Sequence, residues 1–300
     1  MTIEEWVKIH QDDPTEEFLK EAREKNFIRR LDSHAEIFSF IDGVYSIRFV
    51  GNPKSPPVWA HLIVGEDAAL LIDTGYGVGD IKAAAESFIG GKPLTVVNTH
   101  VHGDHVSGNY RFPSVYTNEL ELDELYKLRT PETVENLKNS EWVLPDDDVV
   151  SYCEYEVIPY RGGKTFTLGK GHEVEMIELP GHTVGSCVAL DHKNRILFSS
   201  DSILMKLERY FKGPGLDEIR ALNARIGEFD YVFPGHCKLM LPPSVVTDTL
   251  NIIERISATP DSPDFRIDRF GKGSPVFVSG DIGLIYLTSR ERRPPAGKTV

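Results

Sequence analysis

Three histidines and an aspartate fall within six positions of this chain, His100, His102, Asp104 and His105, in the stretch THVHGDH. Imidazole and carboxylate are suitable ligands for Zn(II) and other first-row divalent ions. In an extended segment His100 and His102 point to the same side, so both rings can reach one ion. Asp104 and His105 come after Gly103, where a strand gives way to a turn, and can swing towards a neighbouring ion. The spacing therefore suggests two metals. Burying so many ionisable groups without a cation is costly, which favours a metal site over an ordinary packed strand.

Further candidate ligands stand downstream, each at a turn after a β-rich run. ELPGHTVGS offers His182, LFSSDS offers Asp201 and YVFPGHC offers His236. Either Pro-Gly-His taken alone reads equally well as a plain turn. Their occurrence in order after the first cluster gives them weight.

The elements that must carry these residues follow from the residue patterns. The opening segment to about Leu31 has apolar residues at helical spacing, including Trp6, Ile9, Phe18, Leu19 and Ala22, with a break near Pro14. From Ile37, IFSFIDGVYSIRFV, VWAHLIVG and AALLIDTG read as successive strands of a meander. GVGDIKAAAESFIGG reads as a helix with Asp80 as N-cap and a glycine pair as its stop. LTVVNTH is then a buried strand delivering the first histidines.

A helical and irregular stretch follows over about 119–160, an insertion or lid-like excursion that can wall a pocket or mediate a dimer, with Trp142 suited to either. Strands resume with KTFTLG, HEVEMIELPG, SCVALDH and RILFSSD, followed by the helix GLDEIRALNARIG, the strand YVFPGH and the helix SVVTDTLNIIERISA. The tail carries a hairpin at about 274–288. No repeat or linker divides the core. We expect a helical extension over 1–36 and a single domain over 37–300, built as two sheets packed face to face under outer helices.

With 300 residues and a formal net charge of −13, the chain lacks the clustered Lys and Arg that grip a phosphate backbone, so nucleic acid is not expected as a partner. No apolar run approaches membrane-spanning length, and the N-terminal residues carry acids where a signal peptide has bases. A cytoplasmic protein is expected. Cys153, Cys187 and Cys237 are too few and too scattered for a disulfide framework or a thiolate zinc site.

THVHGDH, with LIDTG before it and PGHTVGS, FSSDS and PGH after it, resembles the metallo-β-lactamase fold superfamily. The motifs run from about Ile37 to His236 and do not cover the N-terminal helices, the 119–160 stretch or the tail. The resemblance implies an α/β (α+β) fold, an αββα sandwich of two mixed β-sheets flanked by helices, with the metal site along one edge. It implies that His100, His102 and His182 hold one metal, that Asp104, His105 and His236 hold a second, and that Asp201 bridges them. Asp73 of LIDTG then orients a ligand. The implied cofactor is two Zn(2+) per chain, with iron or manganese as substitutes.

The expected activity is hydrolysis by a hydroxide shared between two divalent metals, attacking an ester, thioester, lactone or amide of a small molecule. Asp104 is the expected catalytic residue, orienting the hydroxide and passing its proton to the leaving group. Glyoxalase II-like thioesterases and lactonases both fit the ligand set. An aspartate at the bridging position disfavours antibiotic hydrolysis. The alternative is an oxidoreductase similar to persulfide dioxygenases, with one iron on His100, His182 and Asp201. Lys206, Arg209, Tyr210 and Lys212, after the bridging aspartate, are candidates for substrate contact. The oligomeric state is left open, with a homodimer compatible.

Overall fold

The computed structural model describes residues 14–31, 35–49, 57–139, 151–209, 215–267, 273–280 and 282–286. Helix α1 (Pro14–Lys25) buries Leu19 and Ala22 and leads into β1 (Phe27–Arg30). There follow β2 (Ala35–Ile41), β3 (Val44–Phe49), β4 (Val58–Val64) and β5 (Ala69–Ile72). Helix α2 (Ile81–Ile89) connects to β6 (Leu94–Val97), and a single helical turn, α3 (Gly103–Val106), comes soon after it. Then come β7 (Ser114–Asn118), α4 (Leu122–Leu128), α5 (Pro131–Lys138) and β8 (Glu156–Tyr160). These eight strands form one sheet in sequence order, antiparallel from β1 to β5 and parallel from β5 to β8.

The second half lays down β9 (Lys164–Thr167), β10 (Glu173–Glu178), β11 (Cys187–Asp191), β12 (Ile196–Ser200), β13 (Lys206–Arg209), α6 (Leu216–Ala224) and β14 (Tyr231–Pro234). It ends with α7 (Ser244–Ala258), β15 (Phe265–Ile267), β16 (Ser274–Ser279) and β17 (Ile282–Tyr286). The second sheet has the order β14-β12-β11-β10-β9, with β12 and β14 parallel. The parallel partners, β5 to β8 and β12 with β14, are the strands whose C-terminal ends lead into most of the candidate ligands.

Side-chain alternation explains the layering. In β4, Val58, Ala60 and Leu62 face the layer shared with Ile81, Ala84 and Ala85 of α2, while Trp59 and Ile63 face the second sheet. Both faces of the strand are covered, which is why VWAHLIV is apolar throughout. Phe166, Val174, Met176, Ala189 and Phe198 meet it from the opposite sheet. On that sheet's far side, Val188, Leu190 and Leu197 pack under Ile219 and Leu222 of α6 and Val246 and Ile253 of α7. Helix, sheet, sheet and helix therefore stack in four layers, as the sequence predicts. Asp80 caps α2 by accepting from the Ala83 N–H at 3.0 Å, and Gly90 ends it at φ 61°.

Two segments differ from expectation. Phe27–Arg30, read as part of a helical extension, is a strand paired with β2; Glu156–Tyr160, read as part of the excursion, is a strand parallel to β7. Both are edge strands of the first sheet. All four side chains of β1 are exposed and β8 contains Pro159, so neither shows the alternation that marks an inner strand. The expected tail hairpin is β16–β17, and it belongs to a third sheet of order β13-β17-β16-β15. Trp6, Ile9 and Trp142 lie outside the described residues. Among the described residues no helix is long and apolar enough to cross a membrane.

Candidate metal centre

The candidate ligands converge from five loop positions at one end of the two sheets. His100 and His102 follow β6, Asp104 and His105 ride on α3, His182 follows β10, Asp201 follows β12 and His236 follows β14. His100 and His102 sit past the end of the strand in irregular backbone, yet their rings meet: His100 Nε2 lies 3.2 Å from His102 Nδ1. His182 Nε2 approaches the same His102 nitrogen at 2.9 Å and Asp201 Oδ2 at 3.4 Å. The ligand atoms of His100, His102, His182 and Asp201 all lie within 4.8 Å of one another, as do those of Asp104, His105 and His236.

Asp201 stands between the groups. Its Oδ2 is 3.4 Å from Nε2 of both His182 and His236, and its Oδ1 is 3.4 Å from His105 Nε2. Asp104 Oδ2 is 3.3 Å from His236 Nε2 and 3.7 Å from His105 Nε2.

These separations fit metal coordination. An ion with nitrogen ligands about 2.0–2.1 Å away in a tetrahedron spaces those ligands by about 3.3 Å. Two of the atoms, His105 Nε2 and Asp201 Oδ1, are buried without a hydrogen-bond partner. Buried polar atoms are ordinarily paired, so this donor set suits a cation.

Three of the imidazoles are aimed through their other nitrogen. His236 Nδ1 donates to the Pro57 carbonyl at 2.6 Å, and His105 Nδ1 lies 2.9 Å from Asp73 Oδ2. His100 Nδ1 is 3.1 Å from the Thr99 hydroxyl. Asp73, at φ 62°, also accepts the Thr99 N–H at 2.8 Å. Such outer partners fix tautomer and ring orientation. Gly235 makes room for the cluster: a Cβ there would meet Asp201 Oδ1 at 2.5 Å and His105 Cε1 at 2.9 Å.

The charges reinforce one another. Burial alone would depress His105, but Asp104, Asp201 and Asp73 around it push it up to about 10. His236 is likewise raised well above its ordinary value, burial being outweighed by Asp201 and Asp104. Burial would raise both Asp104 and Asp201; His105 and His236 instead hold them below the usual carboxylate range. His100 is lowered by burial and by the neighbouring imidazoles. Carboxylates that draw protons onto two buried imidazoles draw a metal cation by the same field.

The structure thus brings together the seven expected ligand candidates and sets Asp73 behind His105. Of the expected substrate contacts, Lys206 and Arg209 lie on β13, paired in parallel with β17, and Tyr210 and Lys212 lie outside the described residues. Sequence reasoning missed Thr99 and Ser200, whose hydroxyls lie 2.8 Å apart beside Asp73. It also missed the Pro57 carbonyl, which as a backbone group leaves no side-chain signature.

A sequence model described as the metallo-beta-lactamase superfamily matches residues 55–236. The acyl-coenzyme A thioesterase MBLAC2 of Bos taurus is 29% identical over 181 residues, which cover 54% of this chain and 64% of that protein. A hydroxyacylglutathione hydrolase of Methylococcus capsulatus is 30% identical over 141 residues, 45% of this chain and 46% of its own length. The matched region therefore spans less than two thirds of either relative. Among solved structures, a metallo-beta-lactamase from Erythrobacter litoralis superposes with a TM-score of 0.54 at 16% identity, covering 77% of this chain and 100% of that one. One from Pontibacter korlensis gives 0.52 at 19%, covering 73% and 99%. Likeness at that identity concerns the fold, and it agrees with the four layers described above. With the family match extending over more than half the chain and ending at His236, the last of the converging side chains, the protein belongs to the metallo-β-lactamase superfamily.

Proposed function

We propose that the protein is a dinuclear metallohydrolase acting on thioesters of small acyl groups. The observation that carries this reading is the convergence of two ligand groups on one shared carboxylate, Asp201, whose buried Oδ1 lies 3.4 Å from the buried His105 Nε2 with no hydrogen bond formed by either atom. His100, His102 and His182 would hold one ion, Asp104, His105 and His236 the other, with Asp201 between them. Zinc is the ion this donor set suits. Two divalent ions there supply a water of lowered pKa and polarise the carbonyl oxygen under attack.

The chain's own residues have distinct tasks in this scheme. Asp104 has a side chain 21% exposed, against 9% for Asp201, so it is the carboxylate of the pair that water and substrate reach more readily. It orients the attacking water and carries its proton towards the leaving thiolate. Asp73 and the Pro57 carbonyl hold His105 and His236 with Nε2 turned to the centre. Thioesters are favoured over other acyl substrates because both matched relatives named above act on them by name, one on acyl-coenzyme A and one on hydroxyacylglutathione. The free thiols of Cys153, Cys187 and Cys237 fit a reducing compartment, in keeping with a cytoplasmic enzyme.

The test is metal analysis of the protein purified without added metal, followed by assay of acyl-coenzyme A and glutathione thioesters, lactones and β-lactams. Two zinc ions per chain and release of free thiol from a thioester are expected. One iron per chain with oxygen consumption, or turnover confined to lactones, would overturn the proposal.

A further inference from the structure

Glu121 stands at the end of the short 3-10 turn Glu119–Glu121, just before α4, and its side chain is buried. A buried carboxylate is stable only when its oxygens are satisfied. Here the donors are two backbone groups from different parts of the chain. The Val101 N–H donates to Oε2 at 3.0 Å and the Gly185 N–H donates to Oε1 at 2.6 Å. Val101 lies between His100 and His102, and Gly185 lies in the turn that presents His182.

The same two loops share one direct backbone bond, from the Cys187 N–H to the Thr99 carbonyl at 2.8 Å. Two residues from that bond on each loop, Val101 after Thr99 and Gly185 before Cys187 both present N–H groups. Two donors cannot bond each other, and the Glu121 carboxylate accepts from both. Gly185 permits the close approach, since a Cβ there would meet Glu121 Cγ at 2.7 Å and Oε1 at 3.0 Å. The His182 turn is closed on itself, with Gly181 N–H donating to the Thr183 carbonyl and Thr183 N–H to Ser186 Oγ. Those bonds set the shape of the turn, and its position against His100 and His102 depends on what ties it to their loop. Val101 packs with Val106 and with Leu125 of α4, so the helix that directly follows Glu121 is also docked on the histidine loop.

We propose that Glu121 is a positioning residue for the His100, His102, His182 and Asp201 group, clamping the two loops that carry its histidines. Both its oxygens are engaged by backbone N–H groups, so it acts through those loops and not as a ligand. The inference rests on the reading that this group holds a metal ion.

The test uses the full chain loaded with Co(II) or Zn(II), with two binding constants resolved by chelator competition. His182→Ala and His236→Ala assign each constant to its group. Glu121→Gln keeps the size of the side chain but offers an oxygen to one loop and an amide N–H to the donor of the other. It is expected to weaken the constant assigned to His182 by about 10- to 100-fold and to leave the other within about twofold. Equal loss at both sites, the mark of a merely structural role, overturns the proposal, as do two unchanged constants. If Glu121→Gln fails to fold, Gly185→Ala displaces the carboxylate without removing it; the same selective loss is expected and unchanged constants overturn the proposal. A wild-type protein that holds neither ion overturns the underlying reading and this one with it. Two ions in the wild type with Glu121→Gln indistinguishable from it overturns this one alone.

Discussion

Asp73 Oδ2 lies 2.9 Å from His105 Nδ1, and both side chains are buried. The carboxylate also accepts the Thr99 N–H through Oδ1, so it cannot turn without breaking that bond. With a metal ion bound, it would select the His105 tautomer whose Nε2 lone pair faces Asp104 and Asp201. Asp73→Asn keeps the shape, but with its oxygen on Thr99 it points an amide N–H at His105 Nδ1, which forces the proton onto Nε2. Metal affinity is expected to fall by about 10- to 100-fold. Equilibrium competition against a chromophoric chelator measures this, and an Asn variant binding as tightly as the wild type would rule out the orienting role.

Gly235 precedes His236 and leaves the space that two other ligand candidates occupy. An added Cβ would stand 2.5 Å from Asp201 Oδ1 and 2.9 Å from His105 Cε1, so Gly235→Ala must displace both. Displacements of about 1 Å at a reacting centre cost on the order of 100-fold in rate. We expect kcat against a confirmed thioester to fall by at least that order in Gly235→Ala while circular dichroism stays that of the wild type. A variant with wild-type kcat would show that the cluster tolerates the shift.

Most of the candidate site was legible in the sequence because residue types able to ligate a metal are few, and a turn after a strand delivers them to one end of a sheet. His182, Asp201 and His236 could be named for that reason. What supports them was not legible: the Pro57 carbonyl is backbone, and Glu121 is one acid among several in ELELDEL, distinguished only by the two N–H groups it meets in the fold. In the fold, inner strands such as β4 announced themselves through apolar runs, whereas β1 and β8 are edges with little burial pattern. The pairing of the tail hairpin with β13 is a contact between segments about 75 residues apart that no local pattern encodes.

That pairing makes the tail hairpin part of the packed structure. Phe277 on β16 is fully buried among Ile252, Ile253, Leu204 and Met205, residues from α7 and from the segment after Asp201. Phe277→Ala is expected to cost about 3–5 kcal/mol, read as a lowered midpoint in urea. A change below about 1 kcal/mol would mean that the hairpin is not packed as described.

His61 links stability to acidity independently of the metal ligands. It is buried between the rings of Phe198 and Phe233, with the Ser46 hydroxyl 3.1 Å from Nδ1. Burial pushes the imidazole down to about 3, from an ordinary value of 6.5. Above pH 6.5 the ring is neutral in folded and unfolded chains alike, and its contribution to stability does not vary with pH. Below pH 6.5 the unfolded chain takes up a proton that the folded one refuses, so stability falls by about 1.4 kcal/mol per pH unit until the folded value near 3 is reached. His61→Leu removes this titration at the cost of the Ser46 contact. The stability difference between wild type and variant, measured by urea unfolding from pH 7 to pH 4, is expected to shift towards the variant by about that slope as the pH drops. Parallel curves for the two proteins across this range would mean that His61 is protonated in the fold, with its ring open to water or paired to an acid.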